Sequence, residues 1–255
     1  MAYRGSMRHD QIALQLYTVR HLAARDLPST LRAVAEAGYD AVELAGLPDI
    51  PAGELAALLE TAGLRVVASH EGIERLRGNL DAVVGRLAAV ECPRVIVPWM
   101  PEEDRRDHDG VRRFADELND FADALEGHGM RLGYHNHDFE FAPLNGSTVW
   151  DVMLPELSPA IELELDVYWA AVGGRDPSAE IRANPDRIRL LHMKDRADGP
   201  EPHDAPVGDG NLPFPELVEA ARSSGVEWYV VEQDEPEDAI RDIQRSLQSL
   251  QALAR

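Results

Sequence analysis

Hydrophobic and polar positions alternate between two patterns along this chain. Short, β-branched, nearly continuous apolar runs are followed by longer stretches whose apolar residues recur every three or four positions. Eight runs read as strands: Gln11–Tyr17, Ala41–Ala45, Arg65–Ser69, Arg94–Trp99, Arg131–His135, Ile161–Val167, Ile188–Met193 and Glu227–Glu232. Several are apolar almost throughout, as expected of parallel strands buried on both faces. The intervening pattern predicts helices over Leu27–Ala37, Ala52–Ala62, Asn79–Val90, Val111–Glu126, Phe214–Ser223 and Pro236–Leu253. Gly38, Gly63, Gly127 and Gly225 follow the last turns of four of them, where a positive φ is often required. Eight strand–helix units in 255 residues match a (β/α)8 TIM barrel of the α/β class. A doubly wound sheet is the rival, but its first turn is normally rich in glycine, and Tyr17-Thr-Val-Arg-His-Leu-Ala has none. No linker or low-complexity tract interrupts the pattern. Residues 1–10 read as an N-terminal arm and 11–255 as a single barrel domain.

Composition narrows the partners. The chain has 25 basic and 46 acidic residues, a net charge of −21. Such a surface opposes nucleic acid, whose phosphates must be neutralised by basic groups, and it opposes anionic lipid. No apolar run is long enough to span a membrane, and the polar start MAYRGSMRHD lacks the apolar stretch of a secretory signal. Cys92 is the single cysteine, so no internal disulfide forms and a reducing cytoplasm is the expected compartment. It reads as a buried filler.

In a barrel the chemistry lies at the C-terminal ends of the strands. Here those ends are polar: Glu43 on the second, Ser69-His70-Glu71 after the third, His135-Asn136-His137-Asp138-Phe139-Glu140 after the fifth. Glu164-Leu165-Asp166-Val167-Tyr168-Trp169 closes the sixth, His192-Met193-Lys194-Asp195 the seventh and Glu232-Gln233-Asp234 the eighth. Any one of these groups alone reads as part of a solvated rim. Glu140, Asp166, His192 and Glu232 follow four consecutive strands, however, and three carboxylates gathered on one axis repel unless a cation joins them. One imidazole with three carboxylates suits one divalent ion, Mn²⁺ first, with Mg²⁺, Co²⁺ or Zn²⁺ as alternatives.

Lys194 is the only lysine in an arginine-rich chain, two residues beyond His192 and so on the same side of the strand. A compact ammonium there suits a catalytic or substrate-contacting role that a planar guanidinium would not fill. His135 and His137 share a face, and His137, nearer the strand end, is the candidate general base. Tyr17, Trp99 and Trp169 offer flat walls for a sugar, with Glu43, His70 and His135 as further substrate contacts; core packing is the plainer reading of each ring. Gly208-Asp-Gly-Asn-Leu offers an anion site at a helix start, but the plainer reading is a loop that only turns the chain; Glu102–Arg113 reads as a solvated loop and helix start.

Taken together, Leu14-Gln-Leu-Tyr-Thr-Val-Arg, Gly38-Tyr-Asp-Ala-Val-Glu-Leu-Ala-Gly, Tyr134-His-Asn-His-Asp-Phe-Glu-Phe, Leu165-Asp-Val-Tyr-Trp, Leu191-His-Met-Lys-Asp, Val207-Gly-Asp-Gly-Asn-Leu-Pro-Phe and Val231-Glu-Gln-Asp resemble the sugar phosphate isomerase/epimerase group, with its xylose-isomerase-like TIM barrel. The resemblance spans nearly the whole chain. It implies one divalent metal, often Mn²⁺, held by Glu140, Asp166, His192 and Glu232. The ketose 3-epimerases of that superfamily carry a glutamate earlier on strand 5, paired across the substrate carbon with the strand-8 glutamate. This chain instead reads Tyr134-His135-Asn136-His137, more similar to inosose dehydratases and to lyases of 3-keto-glycosides. The expectation is a metal-dependent isomerase or epimerase of a keto-sugar, sugar phosphate or cyclic polyol, working through an enediolate with His137 or Glu232 as base and Lys194 steadying the oxyanion. The alternatives are a lyase or dehydratase, a sugar-binding subunit without turnover, and an AP-endonuclease-like nuclease. The ligands for one metal and the acidic charge weigh against the last. Barrels of this kind commonly pair, which leaves a homo-oligomer open.

Overall fold

The computed structural model describes residues 7–199 and 203–254. Of the proposed arm, residues 1–6 lie outside the described residues; the rest leads into a 3-10 turn at His9–Gln11. Eight parallel strands close into a barrel: β1 Ile12–Gln15, β2 Ala41–Leu44, β3 Arg65–His70, β4 Arg94–Val97, β5 Arg131–His135, β6 Glu162–Asp166, β7 Ile188–Met193 and β8 Trp228–Val231. β1 pairs with both β2 and β8, so the barrel sheet closes without an open edge. All eight coincide with the apolar runs: β5 and β7 match end to end, β3 runs one residue further to His70, and the other five are trimmed by a residue or two where ladder pairing stops.

Helices surround the strands because the outward strand residues and the inward helix stripes bury one another. The continuous outer core joins Leu14, Val42, Val66 and Val95 of the strands to Leu31, Leu59, Leu87, Leu118 and Leu250 of the helices. Aspartate caps set several helix starts: Asp26, Asp107, Asp176 and Asp238 each accept a backbone N–H of the first turn. Such caps explain where the helices depart from the pattern. The last helix begins at Ala239 rather than Pro236, behind the Asp238 cap. The helix expected from Asn79 is the second half of Ile73–Ala89, which breaks at Asn79, whose side chain caps the second half through Ala82 N–H. Gly127 is right-handed (φ −59°), and the left-handed residue beyond that helix is Gly129 (φ 72°).

Inside the barrel, the period of two stacks side chains in layers. Near the N-terminal end, Arg94 donates to Glu162 Oε2 at 2.7 Å and also pairs with Glu227. Arg131 reaches the other oxygen of Glu162 at 2.6 Å. Above lies an apolar layer of Ala13, Ala41, Ala68, Ile96, Leu190 and Val230. Gly133 belongs to this level: a Cβ there would stand 2.5 Å from Ile96 Cδ1. Two residues further along every strand but β4 stand Gln15, Glu43, His70, His135, Glu164, His192 and Glu232, and two beyond some of those stand Asp166, Lys194 and Asp234. No helix among the described residues is long and apolar enough to cross a membrane. Cys92 is buried and its thiol donates to Arg94 O, as a filler would.

Candidate active site

The upper layers form the inner wall of a pocket of about 380 Å³, lined by Tyr17, His70, His135, His137, Lys194 and Glu232 among others. Asp166, His192 and Glu232 each offer one ligand atom within 4.8 Å of the other two, and all three are buried. Local structure fixes Asp166. It ends β6 and caps the short helix Val167–Val172, its Oδ1 accepting Trp169 N–H at 2.8 Å, while its own N–H donates to Asn136 Oδ1 at 3.0 Å. Its Oδ2 is buried without a hydrogen bond, with Lys194 Nζ 3.5 Å away. Burial pushes the Asp166 carboxyl up to about 7. His192 Nδ1 lies 2.9 Å from Glu232 Oε2, and its Nε2 lies 2.7 Å from Glu43 Oε2. Burial opposes charge on His192, but Glu164 and Glu232 outweigh it and raise its pKa well above the usual value. Glu232, also penalised by burial, is held low by Lys194 and His192.

Lys194 is fully buried in the same wall, its Nζ 2.9 Å from Glu232 Oε2 and 2.8 Å from Asp234 Oδ2. Burial works against its charge, but Glu232, Asp166 and Asp234 keep it protonated. His137 stands at the lip, stacked on Phe139 and 5.7 Å from the Trp169 ring. Burial first, and the Lys194 charge second, lower its pKa to about 4, so it is neutral and able to accept a proton at pH 7.

The fourth expected ligand stands elsewhere. Glu140 sits in a 3-10 turn, Phe139–Phe141, beyond the end of β5. Its Oε1 accepts the Tyr134 hydroxyl at 2.5 Å and its Oε2 accepts His137 N–H at 2.7 Å. It is in neither group of converging ligand atoms. A residue five places past a strand end has left the barrel wall, so position after a strand did not ensure convergence. The carboxylate that does converge is Glu164, two residues before Asp166 and on the same face. Its Oε2 lies 2.7 Å from His70 Nε2, 3.0 Å from His135 Nδ1 and 3.2 Å from His192 Nε2. The alternation Glu162-Leu-Glu-Leu-Asp was the signal for it. Burial would raise Glu164, but His192 and His70 bring it well below the usual carboxylate range.

Of the expected substrate contacts, Tyr17, His70 and His135 line the pocket. Glu43 does not; it is fully buried beneath, and burial followed by Glu164 raises it to about 7. Trp99 and Trp169 are not among the pocket's lining residues either: Trp99 is 49% exposed and edge-on to Phe139, and Trp169 packs near His137. The Gly208 loop carries its own anion. Asp195 accepts backbone N–H groups from Gly208, Gly210 and Leu212 at 2.9 to 3.1 Å, so the loop turns the chain as expected.

The profile of the Xylose isomerase-like TIM barrel family matches residues 31–252, and the chain belongs to that family. Among solved structures it is similar to a sugar phosphate isomerase/epimerase from Parabacteroides distasonis, with 23% identity, 96% of this chain and 95% of that chain covered, and a TM-score of 0.84. A probable 3-DHS dehydratase, AsbF, from Bacillus anthracis superposes with a TM-score of 0.75 at 12% identity, covering 94% and 98% of the two chains. The IOLI protein with a bound zinc atom follows at 0.72 and 16%, covering 96% and 98%. No curated protein matches the sequence.

Proposed function

We propose that this protein is a divalent-metal-dependent isomerase or epimerase of a keto-sugar or sugar phosphate. The observation that carries the reading is the convergence of the buried Asp166, His192 and Glu232, the last of which lines the pocket together with Lys194 and a neutral His137. The set fits a cation: Asp166 Oδ2 is buried and lacks a hydrogen bond, and two carboxylates with one imidazole favour Mn²⁺, with Mg²⁺, Co²⁺ or Zn²⁺ as alternatives. Bound there, such an ion polarises a carbonyl and its neighbouring hydroxyl and so acidifies the adjacent C–H. The family membership and the Parabacteroides neighbour support the substrate class; the zinc of the IOLI protein supports a metal.

The chain's own groups supply the rest. His137, neutral and at the lip, takes the proton from the carbon next to the carbonyl. Lys194 donates to the developing oxygen anion of the enediolate; Asp166, Glu232 and Asp234 keep its ammonium charged and aimed. Glu232 serves as ligand rather than base, because both His192 and Lys194 already engage its Oε2. Returning the proton to a neighbouring or the opposite position completes isomerisation or epimerisation. Tyr17, His70, His135 and Trp169 contact the sugar, with Trp99 at the rim. The single buried thiol fits a reducing cytoplasm.

One observation favours a second reading. The strand-5 positions facing the pocket are His135 and His137, with no glutamate to act from the opposite face of a carbon. That suits elimination of a β-substituent from the same enediolate, as in an inosose dehydratase or a 3-keto-glycoside lyase. Incubation of the Mn²⁺-loaded protein with keto-sugars, their phosphates and inososes in deuterated water separates the two. Deuterium in recovered sugar supports the isomerase; release of water or aglycone moves the assignment to the lyase; neither product from any substrate overturns both.

A further inference from the structure

A second cluster lies beneath the seat just described; the proposed reaction draws on it only for His192 as a ligand and for His70 and His135 as sugar contacts. It gathers Glu43 of β2, His70 of β3, His135 of β5, Glu164 of β6 and His192 of β7. Glu164 Oε2 is the hub for the three imidazoles, and His70, His135, Glu164 and His192 each bring a ligand atom within 4.8 Å of the others. Protons alone do not complete this network. Glu164 Oε1 and Glu43 Oε1 are both buried with no hydrogen-bond partner. Buried polar atoms without partners are costly, and a cation held by the Glu164 carboxylate would compensate one of the two.

His192 belongs to both clusters, and its chemistry divides them. A neutral imidazole has one lone pair and one N–H. With the Nδ1 lone pair turned to the upper cation, Nε2 keeps its hydrogen and donates it to Glu43 Oε2, 2.7 Å away. Gln15 Nε2 donates to that same oxygen at 2.8 Å, so Glu43 acts as an acceptor that orients His192, not as a ligand. His70, His135 and Glu164 then remain as donors without a cation.

We propose that His70 Nε2, His135 Nδ1 and Glu164 Oε2 form a second divalent-cation seat, open towards the pocket. Both histidines line the pocket while Glu164 closes the seat from below, so the fourth position faces the substrate. Two imidazoles, one carboxylate and an open position are the ligand set of a catalytic zinc site. The upper set, richer in carboxylate, suits a harder ion. The assignment of His192 rests on the function proposed above.

The test is metal stoichiometry, read without reference to turnover. Chelator-treated protein is equilibrated with Zn²⁺ alone, bound zinc is counted per chain by mass spectrometry, and anomalous scattering locates it. Wild type is expected to bind two equivalents, and His70→Ala, Glu164→Gln and Asp166→Asn one each. His70 is partly exposed to the pocket, so its truncation leaves no sealed cavity, and circular dichroism checks that each variant folds. One equivalent in wild type, lost in Asp166→Asn and kept in the other two, overturns the lower seat and leaves the proposed function standing. One equivalent lost in His70→Ala and Glu164→Gln but kept in Asp166→Asn bears out the lower seat and removes the ground for the upper one. No bound zinc overturns both.

Discussion

Burial favours the protonated form of Glu140. Burial raises its carboxyl to about 8, against which the Tyr134 and His137 hydrogen bonds pull only in part. Its folded pKa is above the unfolded one, near 4.5, so its stabilisation is full below pH 4.5 and is lost as pH rises through 8. Wild-type melting temperature should therefore fall between pH 5 and 9, with a shallower slope in Glu140→Gln; equal slopes in a thermal-melt series would show that another group is responsible. Lys194 is a second case. Its Nζ is a point donor among Asp166, Glu232 and Asp234, where a planar guanidinium does not fit. Lys194→Arg should lower kcat by about 10²-fold, on the order seen when one oxyanion donor is removed. Steady-state kinetics beside a circular dichroism control would measure it. His137→Ala should cost about 10²-fold or more for loss of the base.

At the level of strands and helices, close approach explains what composition alone does not. Gly133 lets β5 pack against Ile96 of β4. Gly133→Ala should destabilise by about 1–3 kcal/mol, the range for an overpacked core, visible as a shift in denaturant midpoint. The strands were legible because burial on both faces writes them as apolar runs. The short helices Val149–Met153, Val167–Val172 and Pro177–Ala183 were not, since fewer than two turns cannot display a period. The site was legible by half-measures. Asp166, His192, Glu232 and Lys194 share the inward face that counting by two assigns them. Glu140 was misplaced because a turn follows β5, and Glu164 was passed over although the same counting puts it beneath Asp166.

Seen whole, the barrel is plugged at one end and polar at the other. Arg94 is buried between Glu162 and Glu227, and removing it takes the buried partner from Glu162, which keeps only the more exposed Arg131. Arg94→Met should cost about 3–5 kcal/mol, the range for breaking a buried pair, and a melt without loss of stability would show the plug to be dispensable. Metal binding to the folded state alone adds about 2.7 kcal/mol at a hundredfold excess over Kd, so Mn²⁺ should raise the melting temperature of wild type more than that of Asp166→Asn.

Because the apolar layer from Ala13 to Val230 fills the lower bore, the pocket opens at the other end of the cylinder. Whatever leaves by that end retraces the path by which it came, past Tyr17. Spent sugar waiting in that vestibule bars the next molecule. Product should thus compete with substrate directly, and exchanging rim side chains should retune traffic without disturbing the chemistry at the bottom of the well.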